Sequence, residues 1–254
     1  MYTFFGFGVL LVVTIAAYGI YWYTNLEDVP FPGIERKQFV KLVDDEMLQN
    51  LGEKAVQDIA KDLKTLPPSH SISRKVNEIG SHIIKASNNP ILQSAPIKFL
   101  ILDAPNIVGC ATAPDRTIIF WSGMFYAMKR NDNYLAVILA HELAHLAARH
   151  HKEQMSSTWS WFRRRVDFQH SQLIEREADH IGIILMAKAC YNPVAVVDVW
   201  KLLETVIPDQ NSMGYENALH THPPHKERAE NAINWMPEAN EALKNCLKKP
   251  YRLF

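Results

Sequence analysis

"LAHELAHLAARHH", residues 139–151, sets four histidines and a glutamate among leucines and alanines, and it completes the apolar run "YLAVILA" at 134–140. A stretch of this composition reads as a helix buried on most sides. On a helix, residues four apart are offset by about 40° and about 6 Å, so His141 and His145 point the same way from adjacent turns. That spacing lets two imidazole nitrogens meet one zinc ion at about 2.0 Å each. Glu142 stands beside the first histidine, where it reaches a water on the metal rather than the metal, which is the HExxH arrangement with glutamate as general base. With 133–151 taken as one helix, His150 and His151 fall about 180° and about 80° away from His141. They are expected at the surface.

Chance alone would place HExxH in roughly 3 chains in 100 of this composition, so the surroundings must carry the assignment. In a buried helix, each polar group without a partner costs at least about 1–3 kcal/mol. A metal supplies the two histidines with a partner. A catalytic zinc takes a third protein ligand, and "LIEREADHIGIILMAKAC" at 173–190 is a second apolar helix carrying acids. Glu175 and Asp179 share a face, about 40° apart, whereas Glu177 is turned about 200° from Glu175. Glu175 is therefore the expected third ligand and Asp179 the expected acceptor for a ligand histidine N–H. Glu177 and Arg176 are expected to be solvated.

The rest of the chain bounds the answer. Its 254 residues, 48% hydrophobic, suffice for one well-packed domain and an appendage. Lys plus Arg and Asp plus Glu both number 27, and this balance speaks against nucleic acid as a partner. Cys110, Cys190 and Cys246 are odd in number and form no CxxC pair, so neither a disulfide framework nor a thiolate zinc site is expected, only buried thiols.

The appendage is "YTFFGFGVLLVVTIAAYGIYWY" at 2–23, which has no charged side chain. As a helix it would be about 33 Å long, enough to cross a hydrocarbon core, and its aromatic ends resemble a membrane belt. It lacks the basic leading segment and the shorter apolar run of a signal peptide, so a permanent anchor is expected. The organisation follows as 1–25 transmembrane anchor, 26–37 juxtamembrane connector with two prolines and a glycine, and 38–254 metallopeptidase domain.

Helical patterns cover 44–66 and 71–86, and later about 133–151, 171–190, 193–206, 224–236 and 238–247. "IKFLILD" at 97–103 and "RTIIFWSG" at 116–123 read as strands that pair antiparallel. The expected fold class is mainly α with a small antiparallel β-sheet, behind one N-terminal transmembrane helix.

HExxH, then ExxAD on a later helix, then "THPPHKER" at 221–228 together resemble the gluzincin peptidases of the HtpX, BepA and CAAX-prenyl-protease superfamily. Within it, "YTNLEDVPFPG" behind the anchor, "EADHIGIILMAKAC" and the terminal "YRLF" are similar to the mitochondrial inner-membrane branch whose activity overlaps that of the m-AAA protease. The resemblance implies a zincin-like domain with one Zn2+ held by His141, His145 and Glu175, and Glu142 as base. It also implies that His222 approaches the metal in a resting site and that Arg228 stabilises the oxyanion, a role suited to a guanidinium. A rigid turn capping a helix is the other reading of "HPPH". Implied partners are protein substrates, membrane-bound or misfolded and including a dynamin-like fusion GTPase processed under stress, the lipid bilayer, and optionally a second copy of the chain. The implied location is the mitochondrial inner membrane. No Arg- and Ser-rich presequence stands before the span, so either a transit peptide precedes this sequence or the span itself is the address.

Two departures bear on this. After Asn106 the chain reads "NIVGCATAPDRTIIFW", with "APDR" in place of the relatives' glycine-containing turn, along the edge where zincins bind an extended peptide. The connection "MSSTWSWFRRRVDFQH" between the two metal helices carries Trp159, Trp161 and Phe162 followed by Arg163, Arg164 and Arg165. It is expected either to touch anionic lipid or to be a solvated loop. The rival to a peptidase is a zinc-binding scaffold or stress sensor without turnover, against which a complete set including Glu142 argues. A lipid-modified-peptide protease of the CAAX kind would need many spans, where this chain has one.

Overall fold

The computed structural model describes residues 2–158, 166–206 and 223–248, with side chains described from Leu10 onward except at 157–158 and 166–169. Arg163, Arg164, Arg165 and His222 lie outside the described residues. In order the elements are α1 (Tyr2–Thr24), β1 (Leu26–Asp28), β2 (Lys37–Phe39), α2 (Asp45–Ala60), α3 (Ser71–Ser87), α4 (Pro90–Gln93), β3 (Lys98–Leu102), β4 (Cys110–Thr112), β5 (Thr117–Trp121), α5 (Ser122–Ala127), α6 (Asp132–Ala147), α7 (His150–Thr158), α8 (Val166–Lys188), α9 (Ala195–Val206) and α10 (His225–Leu247). Side chains set several boundaries. Asp44 caps α2 by accepting from the Met47 N–H, and Asn131 caps α6 by accepting from Asn133 and Tyr134, so each satisfies amides that the first turn leaves unpaired.

α6 is the spine. Every residue from Leu135 to Ala147 is buried, with α3, α8 and α9 and the inner strand edge around it. α8 comes unusually near: a Cβ at Gly182 would stand 3.2 Å from the backbone N and Cα of His141. A larger residue there would push the α6 backbone away by a few tenths of an ångström, so glycine favours the close approach that brings the polar side chains of the two helices to one point.

The β-structure departs from the expected antiparallel pair. β3 and β5 run parallel, Lys98 opposite Thr117 through Leu102 opposite Trp121, and β4 pairs antiparallel with β5 on its other side. The cause is β4 itself. It folds back on β5 through the turn 113–116, where Arg116 takes φ 67° and Asp115 accepts from the Thr117 amide and hydroxyl. The second run is thus turned once more than two successive strands would be.

Three other expectations are corrected. Helix α2 stops at Ala60 because the chain then leaves to pair with β3, the Leu66 amide donating to the Ile101 carbonyl at 2.8 Å. α10 runs through Pro237 instead of breaking there, since Ala229, Ala232 and Ala239 keep one buried face on both sides of it. Cys190 and Cys246 are not separate thiols but a disulfide joining the ends of α8 and α10 across 56 residues of chain, and Cys110 remains free. Closing so long a loop restricts the unfolded chain, and Cys246→Ser is expected to lower stability by about 2–4 kcal/mol. Thermal melts with and without reductant would read this, and identical melting temperatures would refute it.

The connector folds onto the domain. β1 and β2 pair with Leu26 opposite Phe39, Val29 and Phe31 enter the main core, and Tyr21 of α1 meets Phe39 edge-on with Trp22 tilted beside it. Among the described residues no helix is long and apolar enough to cross a membrane. On the described part of α1, Leu10, Leu11, Val12, Val13, Ile15 and Ile20 are each 57–66% exposed.

Candidate metal centre

His141 and His145 lie one turn apart on α6, and Glu175 faces them from α8. The two Nε2 atoms are 3.2 Å apart, and Glu175 places Oε2 3.2 Å from His141 Nε2 and Oε1 3.5 Å from His145 Nε2. Donors about 2.0–2.2 Å from a tetrahedral zinc lie roughly 3.3–3.5 Å from one another, and the observed spacing is close to that. All three side chains are buried, and among the described residues they form the one group suited to a metal.

Each neighbour has a separate task. Glu142 is buried and outside this trio, its Oε2 held at 2.7 Å from the Thr112 hydroxyl of β4. The base candidate is thereby tied to the strand edge. Asp179 accepts from His141 Nδ1 at 3.0 Å and from Arg228 Nε and Nη2 at 2.8 and 2.6 Å. An N–H on Nδ1 leaves the His141 lone pair on Nε2, facing the other two donors. Arg228 is buried and lies over the ring of Trp200 on α9, 3.6 Å from its centroid. Its guanidinium stands on the Nδ1 side of His141, and two of its nitrogens are committed to Asp179.

Charge follows burial and pairing. With no metal bound, burial lowers the His141 pKa but bonds to Asp179 and Glu175 outweigh that and raise it to about 9, so a metal must displace the Nε2 proton. Burial and neighbouring imidazoles push His145 well below the usual histidine range, so it stays neutral. Burial raises Asp179, yet the Arg228 charge and hydrogen bonds hold it below the ordinary carboxylate value.

The expected surface positions of His150 and Glu177 are wrong. α6 ends at Ala147, Arg149 adopts φ 61°, and α7 restarts the chain in a new direction, which leaves His150 fully buried. Its Nδ1 lies 2.9 Å from His145 Nδ1 and its Nε2 3.0 Å from Glu177 Oε1. Burial opposes ionisation of Glu177, but its bonds to His150 and Arg36 hold its pKa at about 2. His151 is only partly exposed, and burial beside His150 lowers its pKa to about 4. Nothing in "LAARHH" marks the break, because neither glycine, asparagine nor proline stands at the turning residue. Thr112 also escaped the sequence reading, since a short strand in a loop-like stretch carries little periodicity.

The family model described as peptidase family M48 matches residues 73–163 and 166–236. The chain is 26% identical over 261 residues to the mitochondrial metalloendopeptidase OMA1 of Saccharomyces cerevisiae, covering 91% of this chain and 75% of that one. It is 29% identical over 251 residues to that of Schizosaccharomyces pombe, with 89% and 71% covered. With the human metalloendopeptidase OMA1, mitochondrial, it shares 22% identity over 273 residues, covering 94% of this chain and 50% of the relative.

Proposed function

The chain belongs to peptidase family M48 and is a metalloendopeptidase, and on that premise we propose that it hydrolyses peptide bonds in membrane or misfolded proteins with one zinc ion held by His141, His145 and Glu175. The observation that carries this is the convergence of three buried donor atoms at 3.2 and 3.5 Å beside a carboxylate that is not one of them. When bound, zinc polarises the scissile carbonyl and acidifies the attacking water. Glu142 takes the proton from that water and returns it to the leaving amine, its carboxylate oriented by Thr112. Asp179 fixes the ring of His141, and Arg228, the oxyanion candidate, here lies beside His141 Nδ1, where it fixes Asp179 and adds positive charge behind the site. Among the described residues, no strand covers the outer edge of β4, which offers backbone groups to an extended peptide. His222, outside the described residues, stays in this reading as the histidine that would approach the metal in a resting site.

The same proposal places the enzyme in the mitochondrial inner membrane, in quality control and stress-induced processing of a dynamin-like GTPase. The relatives' mitochondrial names support the compartment, and the exposed apolar girth of α1 supports anchorage in lipid by 1–25. The test is metal removal. Stripping the full chain in detergent with a chelator should abolish cleavage of an unfolded membrane-protein substrate, and one equivalent of zinc per chain should restore it. Activity that survives complete removal of the metal would end this reading.

A further inference from the structure

Arg36 lies in the connector, far from the metal centre in sequence, yet its side chain is only 19% exposed and its guanidinium is fully engaged. Nη1 and Nη2 donate to the two Glu153 oxygens at 2.5 and 2.8 Å, while Nε and Nη2 donate to Glu177 at 2.7 and 3.1 Å. From Glu177 the contacts continue through His150 to His145 Nδ1, and every member beyond Arg36 is buried. The chemistry of the groups gives this chain a direction. A guanidinium only donates, and an ionised carboxylate only accepts. Glu177 therefore takes an N–H from His150 Nε2, and in the zinc-holding centre, where a ligand imidazole keeps its proton on the nitrogen away from the metal, His150 Nδ1 is left to accept. His145 must then carry its proton on Nδ1 and present its lone pair on Nε2, the atom that faces His141 and Glu175.

We propose that Arg36 is a positioning residue of the metal centre, holding Glu177 and, through His150, fixing the tautomer and ring orientation of His145. The inference rests on the zinc reading above. α8 thus supplies both ligand histidines with a carboxylate behind Nδ1, Asp179 directly to His141 and Glu177 through one intervening imidazole to His145. With Glu177 displaced, His150 is free to take the opposite tautomer, donate to His145 Nδ1 and force the His145 proton onto the metal-facing nitrogen. The connector behind α1 is in this way coupled to metal affinity.

The experiment measures zinc affinity of the full chain in detergent by chelator competition, together with the visible spectrum of the cobalt-substituted protein. Arg36→Met and Glu177→Gln should each weaken zinc binding by about 10- to 100-fold and shift the cobalt bands, with Arg36→Lys intermediate because it lacks the fork. Glu27→Gln removes other ion pairs of the connector, to Lys41 and Arg149, and should leave both readouts unchanged. Wild-type affinity and spectrum in both Arg36→Met and Glu177→Gln would overturn the proposal, as would an equal loss in Glu27→Gln, which would credit connector docking in general. If Arg36→Met does not fold, Glu177→Gln decides alone with the same two outcomes. A wild-type chain that binds no zinc overturns the reading of the centre and the relay with it, whereas zinc held equally by wild type and variants overturns the relay only.

Discussion

Glu142→Gln should lower kcat by about 10²- to 10⁴-fold while the protein still holds one zinc. The side chain is not one of the three converging donors, so the amide removes no ligand. Its size is unchanged, and its oxygen can still accept from Thr112 at the position Glu142 Oε2 holds. What it loses is the capacity to take up a proton, a loss felt in the transition state and not in substrate binding, so KM should change little. Bound metal and cleavage rate, measured on the same preparations, separate the readings. Wild-type turnover in the variant would remove Glu142 as the base. Zinc in both proteins with cleavage in neither would favour a scaffold that binds metal without turnover.

Arg228→Met is expected to destabilise the fold by about 3–5 kcal/mol, because it leaves the buried Asp179 carboxylate without its cation. Asp179 accepts two bonds from that guanidinium and is 6% exposed, so water cannot replace them fully. The stacking on Trp200 is lost as well. Urea unfolding of the metal-free protein measures the cost, and Arg228→Met with Asp179→Asn should recover part of it because the orphaned charge is then gone. A single-variant cost below about 1 kcal/mol would show that solvent or another side chain compensates Asp179.

The legible parts of this molecule were those in which one regular element carries its own information. α6 and α8 announce themselves by long apolar runs, and the fixed angular step of a helix aligns His141 with His145 and Glu175 with Asp179 before any tertiary contact is known. The same rule misplaced His150, because it was applied across Arg149, where the backbone leaves the helix through a left-handed residue. The angle of Glu177 from Glu175 on one helix points it to solvent, yet the face it turns to is occupied by His150 and by Arg36 from the far end of the chain. Parallel pairing of β3 with β5 depends on a three-residue strand between them, and the Cys190–Cys246 bond on two helix ends meeting, neither of which leaves a local pattern.

Among the described residues, β4 pairs with another strand on one side only. On the proposed reading, a polypeptide that adds to it must already be extended, so a helical or sheet-paired target has to melt locally before it is cut. The opening equilibrium of the target then multiplies directly into the cleavage rate, with each 1.4 kcal/mol or so of local stability lost by the target raising it about tenfold. Such an enzyme ranks its targets by how often they come apart, and damage to a target becomes a rate of destruction without any motif having to be read.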